Sequence, residues 1–133
     1  MRKFHLEIVT PDGVIFDGDA EGILVRTDGG DVEIMAGHLD YFATVSTGRA
    51  KLTADGKEKE AAASGGFISV KKSAVQLVCT TFEFKENIDV DRARIAKSNA
   101  EKLLQSSDDE KTIKIAKSKL ARALSRISVA TGE

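Results

Sequence analysis

Apolar and polar residues alternate along residues 1–87 and recur every three or four positions along residues 88–130. Phe4, Leu6 and Ile8 alternate with His5 and Glu7, which predicts a half-buried strand. Thr10-Pro11-Asp12-Gly13 predicts a turn, because proline presets φ and glycine accepts positive φ. Strands follow at Val14-Ile15-Phe16, Ile23-Leu24-Val25, Val32 to Met35 and Tyr41 to Val45. Ala50-Lys51-Leu52 and Lys57 to Ala61 flank Asp55-Gly56, a strong hairpin signal. Phe67 to Val70 and Val75 to Thr80 flank Lys71-Lys72-Ser73, a second hairpin. About ten short strands with no room for crossover helices predict an antiparallel β-sandwich.

The period changes at Asn87-Ile88-Asp89-Val90-Asp91-Arg92-Ala93. Residues 1–87 hold ten of the eleven glycines and the only proline, while residues 88–130 hold neither. Ala93, Ala96, Ala100, Leu103 and Leu104 predict one amphipathic helix, with Asp89 as its N-cap. Gln105 to Asp109 breaks the run. Ile113, Ala116, Leu120, Ala123, Leu124 and Ile127 predict a second helix, capped by Asp108 or Asp109. A short polar loop between them makes an antiparallel hairpin. Its seam is alanine-rich, so the helices approach closely but bury little area, and the hairpin opens at low cost. The expected fold is α+β, divided into a β-sandwich at 1–87 and a helical hairpin at 88–133.

Charge adds an asymmetry. Residues 1–87 carry ten Lys/Arg against fourteen Asp/Glu, a net of −4, and residues 88–133 carry ten against seven, a net of +3. An acidic head and a basic tail imply a different partner for each. Cys79 is the only cysteine, so an internal disulfide is excluded and a reducing compartment is expected. Charges in Met1 to Glu7 argue against a signal peptide, and no run nears the roughly 20 apolar residues a membrane-spanning helix needs.

Most candidate chemistry is weak. Asp17-x-Asp19-x-Glu21-Gly22 resembles a calcium loop but lies between strands rather than helices, which favours an acidic turn. No phosphate-binding G-x-x-x-x-G-K-[ST] loop occurs. His38 and Asp40 lack a visible nucleophile and read as loop or interface residues. Cys79, in an apolar strand pattern, reads as a buried inert thiol. Lys111, Lys114, Lys117, Lys119, Arg122 and Arg126 make the second helix basic. That face is solvated, or it meets an acidic protein or an anion. Aromatic interleaving for nucleic acid is missing. With a turn near Ser107, Arg92 and Arg122 face each other, and Arg126 follows one helical turn on. Guanidiniums so placed match phosphate.

The runs Phe4-x-Leu6-x-Ile8-Val9-Thr10-Pro11, Phe16-x-Gly18-x-Ala20, Thr27-x-x-Gly30 and Gly37-His38, with the strand-then-hairpin order, resemble the epsilon subunit of bacterial F-type ATP synthase. The resemblance covers essentially the whole chain. It departs at Glu33, Met35-Ala36 and Asp40, where the family tends to carry glycine, Leu-Pro and proline.

The resemblance implies a non-catalytic central-stalk (rotor) subunit that couples ion translocation to ATP synthesis. It would sit peripherally at the cytoplasmic face of the cell membrane. Its partners would be the gamma subunit, the c-ring and the alpha/beta catalytic hexamer, with no nucleic acid. The hairpin would permit turnover when folded and block ATP hydrolysis when extended. No cofactor is required, but some members bind ATP as a regulatory ligand through [IL]-D-x-x-R-A, here Ile88-Asp89-Val90-Asp91-Arg92-Ala93. By that resemblance Glu83, Ile88, Asp89 and Ala93 would border adenine and ribose, and Arg92, Arg122 and Arg126 would serve the phosphates. Asn99 stands where ATP-binding members can carry another arginine. The alternatives are a free-standing module whose basic hairpin grips nucleic acid or an acidic protein, and a small enzyme using His38 and Asp40.

Overall fold

The computed structural model describes residues 2–132. Eight strands form: β1 Phe4–Thr10, β2 Gly13–Ala20, β3 Gly22–Thr27, β4 Gly30–Met35, β5 Tyr41–Val45, β6 Gly48–Ala54, β7 Lys57–Lys71 and β8 Ala74–Phe84. A 3-10 turn at Lys85–Asn87 leads into α1, Val90–Ser106, and α2, Glu110–Thr131. The strands pair in the order β2-β1-β8-β7-β5-β3-β4, with β6 pairing β3 and β7.

Strand β7 merges two of the runs predicted separately, Lys57 to Ala61 and Phe67 to Val70, so the described residues form eight strands rather than about ten. Its first half pairs β6 through Lys57 to Ala63, and its second half pairs β5 through Gly66 to Val70. It thereby joins the two layers of a sandwich. The chain crosses between them at Gly65 and Gly66. A Cβ on Gly66 would stand 1.7 Å from the Val78 carbonyl oxygen, so only glycine fits. Ala61, Ala62, Ala63 and Ser64 are all buried. Alternation is missing there because both faces are covered, one by the core and the other by α2.

The pairing is antiparallel except at one place. β1 and β8 run parallel, His5 to Val9 against Ala74 to Val78. The sequence expectation of purely antiparallel sheets is corrected here. Almost the whole module lies between these two strands, so no dedicated crossover helix is needed to bring them parallel.

Both predicted hairpins form. Asp55 and Gly56 take φ of 54° and 73°, and Lys72 and Ser73 take 50° and 67°. The second turn uses two non-glycine residues in the left-handed region, and the Lys72 N–H donates to Asp40 Oδ1 at 3.0 Å. The core is aliphatic, with Leu6, Ile8, Ile23, Val25, Ile34, Ile68 and Leu77 fully buried. Every member of this cluster lies between Phe4 and Phe82.

The helices pack through small residues. Ala93 and Ala100 of α1 are buried, as are Ala116, Ala123 and Val129 of α2. Leu103 and Leu124, expected on the apolar stripe, are instead exposed. Close approach at the alanines leaves larger side chains outside the contact. α2 lies over β7 and β6. Among the described residues no helix is long and apolar enough to cross a membrane.

Candidate functional site

The cap of α1 organises the join. Asp89 has extended backbone, and its carboxylate accepts the Arg92 N–H at 3.0 Å. The Ala93 N–H donates to the Asp89 carbonyl at 3.0 Å, opening the helix. Arg92 is exposed on this first turn. Asp109 caps α2 in the same way, accepting from the Thr112 N–H and hydroxyl. Those two bonds from Thr112 hold the Asp109 carboxyl below its usual range.

Glu83 stands near the end of β8, opposite Ala62 of β7. Arg126 of α2 reaches down to it, and its Nε–H donates to Glu83 Oε1. This ion pair fastens the hairpin to the sandwich. Beside it is a cleft of about 470 Å³. Its polar lining includes Thr10, Asp12, Glu83, Asp89, Arg92 and Arg126, and its apolar lining is Ile15, Phe82, Ala93 and Ala96.

Five of the seven residues singled out from sequence thus meet at one cleft: Glu83, Asp89, Arg92, Ala93 and Arg126. Ile88 and Arg122 do not line it. Ile88 is half-buried, its N–H donating to the Lys85 carbonyl at 3.3 Å. Arg122 lines a narrow space under α2 with Ser64 and Ser125, and its Nη1 donates to Ser118 Oγ at 2.8 Å. The loop between the helices is Ser107 to Asp109, centred one residue beyond the expected turn. That offset moves the position opposite Arg92 along α2, past Arg122 and toward Arg126.

Sequence reasoning missed Thr10, Asp12 and Ile15, which the β1–β2 turn brings to the same cleft. Their signal was the Thr10-Pro11-Asp12-Gly13 turn, read only as local geometry.

Other candidates have structural partners. His38 Nδ1 lies 2.7 Å from the Leu39 carbonyl, and its ring meets Tyr41 edge-on at 5.6 Å. Asp40 is held by Lys72. Glu21 accepts the Gly56 N–H at 2.7 Å, tying the acidic turn to the β6–β7 hairpin. Among the described residues no group of His, Cys, Asp and Glu could hold a metal ion. Burial pushes the Cys79 thiol up to about 12.

The family described as "ATP synthase, Delta/Epsilon chain, beta-sandwich domain" matches residues 3–85, and the companion "long alpha-helix domain" matches residues 86–131. The chain belongs to this family. Along 98% of its length it is 38% identical to the ATP synthase epsilon chain of Bacillus velezensis, and also to that of Bacillus subtilis, covering 98% of each. The epsilon chain of Staphylococcus aureus strain JH9 is 36% identical over 131 residues, again 98% of both chains. The fold is shared with a chain of the Euglena gracilis mitochondrial ATP synthase, at TM-score 0.83 and 23% identity, covering 97% of this chain and 81% of that one. It is shared too with a chain from the central stalk and c-ring of the Tetrahymena thermophila enzyme, at TM-score 0.72 and 14% identity, covering 97% of each. As an epsilon-type member, the chain is a non-catalytic subunit of a larger enzyme. That membership sets aside the free-standing nucleic-acid module and the His38–Asp40 enzyme.

Proposed function

We propose that this epsilon-type subunit is part of the rotor's central stalk and that its hairpin regulates the complex. The sandwich docks on the gamma subunit and the c-ring, peripherally at the cytoplasmic face of the membrane. When folded, as described above, the hairpin permits turnover. When extended, its basic second helix meets acidic segments of the catalytic subunits and blocks ATP hydrolysis.

One observation carries the regulatory part. Arg92 and Arg126, from different helices, share a cleft with Asp89 and Glu83 at the join of the two modules. The cleft's size falls within the roughly 300–1,000 Å³ of small-molecule sites. Ile15, Phe82, Ala93 and Ala96 offer an apolar surface for a purine, and the two guanidiniums suit phosphate oxygens. ATP would need all three sides, α1, α2 and the sandwich, so it would bind the folded hairpin alone. Such a ligand stabilises that state by about 2.7 kcal/mol at a hundredfold excess over Kd. Three carboxylates also line the cleft, and Arg126 is already paired with one, so phosphate contact at Arg126 would displace Glu83. Arg122 serves the phosphates only if it leaves Ser118 and swings toward the cleft.

Calorimetric titration of the whole chain with ATP, and with ADP as comparison, tests this. Saturable binding that prefers ATP and disappears in Arg92→Ala is the expected result. If ATP produces no saturable heat, the nucleotide reading fails and Asp89 stands as a helix cap. The stalk reading is tested separately, by binding of the chain to purified gamma subunit.

A further inference from the structure

A second polar cleft, of about 490 Å³, lies between the last turns of α2 and the sandwich. It shares no lining residue with the cleft at the join. Its sandwich wall carries Arg26 of β3 and Arg49 of β6. The β3–β6 pairing ends at Leu24 and Lys51, and beyond it the Arg26 carbonyl accepts the Ser46 N–H at 2.8 Å, so the two arginines reach the cleft from separate points of the wall, which Glu60 of β7 also lines.

Each arginine has one carboxylate partner. Arg26 Nε donates to Asp31 at 3.0 Å, and Arg49 Nη1 donates to Glu60 at 3.3 Å. A guanidinium has five N–H donors, so most on both residues meet no acceptor among the described residues. From the helix side, Ser125 faces the same cleft. Its hydroxyl oxygen is buried and has no hydrogen-bond partner among the described residues. The last turn of α2 carries no basic residue, so the two arginines are the cations of this corner. Gly48 lets the Arg26 stem lie close against the backbone: a Cβ there would stand 3.0 Å from Arg26 Cβ and Cδ.

We propose that this cleft binds a phosphate group between Arg26, Arg49 and the Ser125 hydroxyl. A tetrahedral oxyanion supplies acceptors for the arginine donors that meet none, and the one that the Ser125 hydroxyl lacks. Guanidinium forks match its geometry. Bound there, it bridges β3 and β6 to α2 and holds the hairpin down from the side away from the nucleotide cleft. The site stands whether or not ATP binds at Arg92. The phosphate is either free inorganic phosphate or part of a nucleotide.

The test is a titration of the full chain with inorganic phosphate at constant ionic strength. Arginine Nε–H and backbone amide signals are followed by NMR, with ATP in a parallel arm. Saturable shifts at Arg26, Arg49 and Ser125 are expected, and Arg92→Ala leaves them unchanged. Arg49→Gln weakens phosphate binding about tenfold or more, the loss of one charge-assisted hydrogen bond. Ser125→Ala, which keeps both arginines, weakens it by a smaller factor. If ATP shifts the Arg49 signal in Arg92→Ala, the nucleotide's phosphate is a source; if only inorganic phosphate does so, the free ion is. The proposal is overturned if these signals do not move, if Arg49→Gln leaves the response intact, or if the shifts fall on Arg92 and Arg126 alone.

Discussion

Gly66 is the residue that the sandwich tolerates least in any other form. A Cβ here would stand 1.7 Å from the Val78 carbonyl oxygen, and its absence is what lets β7 pass β8 at this point. Gly66→Ala must move backbone rather than a flexible side chain, and a loss of about 3 kcal/mol is expected in urea unfolding. Cys79 is constrained differently. Its thiol, ordinarily near 9.0, is pushed up to about 12 by burial. The unfolded chain therefore releases this proton at lower pH than the folded one does. Stability from this source is whole below pH 9 and falls as pH climbs toward 12. Alkaline denaturation followed by circular dichroism should show that decline, and Cys79→Ala should remove its pH-dependent part. The same thiol should resist alkylation in the native protein at neutral pH.

Among the elements, the helical hairpin is held largely through small side chains. Alanines at 93, 100, 116 and 123 bring the helices close while burying little. Ala116→Leu overfills that seam. About 1–3 kcal/mol of hairpin stability should be lost, and amide exchange should quicken in α1 and α2 but not in β1 or β8. The hairpin was legible from sequence because its spacing was plain and its caps, Asp89 and Asp109, are chemically explicit. Strand β7 was legible only as two pieces, Lys57 to Ala61 and Phe67 to Val70, since Ala61-Ala62-Ala63-Ser64 shows no alternation where a helix covers the outer face. Four small residues in succession on a strand are the signal of such a cover. The cleft was legible in part. Asp89, Arg92 and Arg126 follow from local helix geometry, whereas Asp12 and Ile15 arrive by tertiary folding of a turn some seventy residues away. Leu103 and Leu124 misled because periodicity gives a face but not which residues touch.

At the scale of the whole molecule, the two modules divide the work. Among the described residues no helical residue belongs to the sandwich's core cluster. A chain ending at residue 87 should therefore unfold cooperatively and still bind gamma subunit; non-cooperative melting of that fragment would refute independent folding. The pairing of β1 with β8 bears on how the molecule carries load. These strands run side by side in the same direction, five residue pairs long, and β8 leads almost directly into α1. A pull on the root of the hairpin, resisted at the start of β1, slides the two strands lengthwise past each other. The hydrogen bonds between them then share the force at once instead of opening one by one like a zipper. Under such a pull the sandwich should stay whole longer than the contacts that hold the hairpin to it.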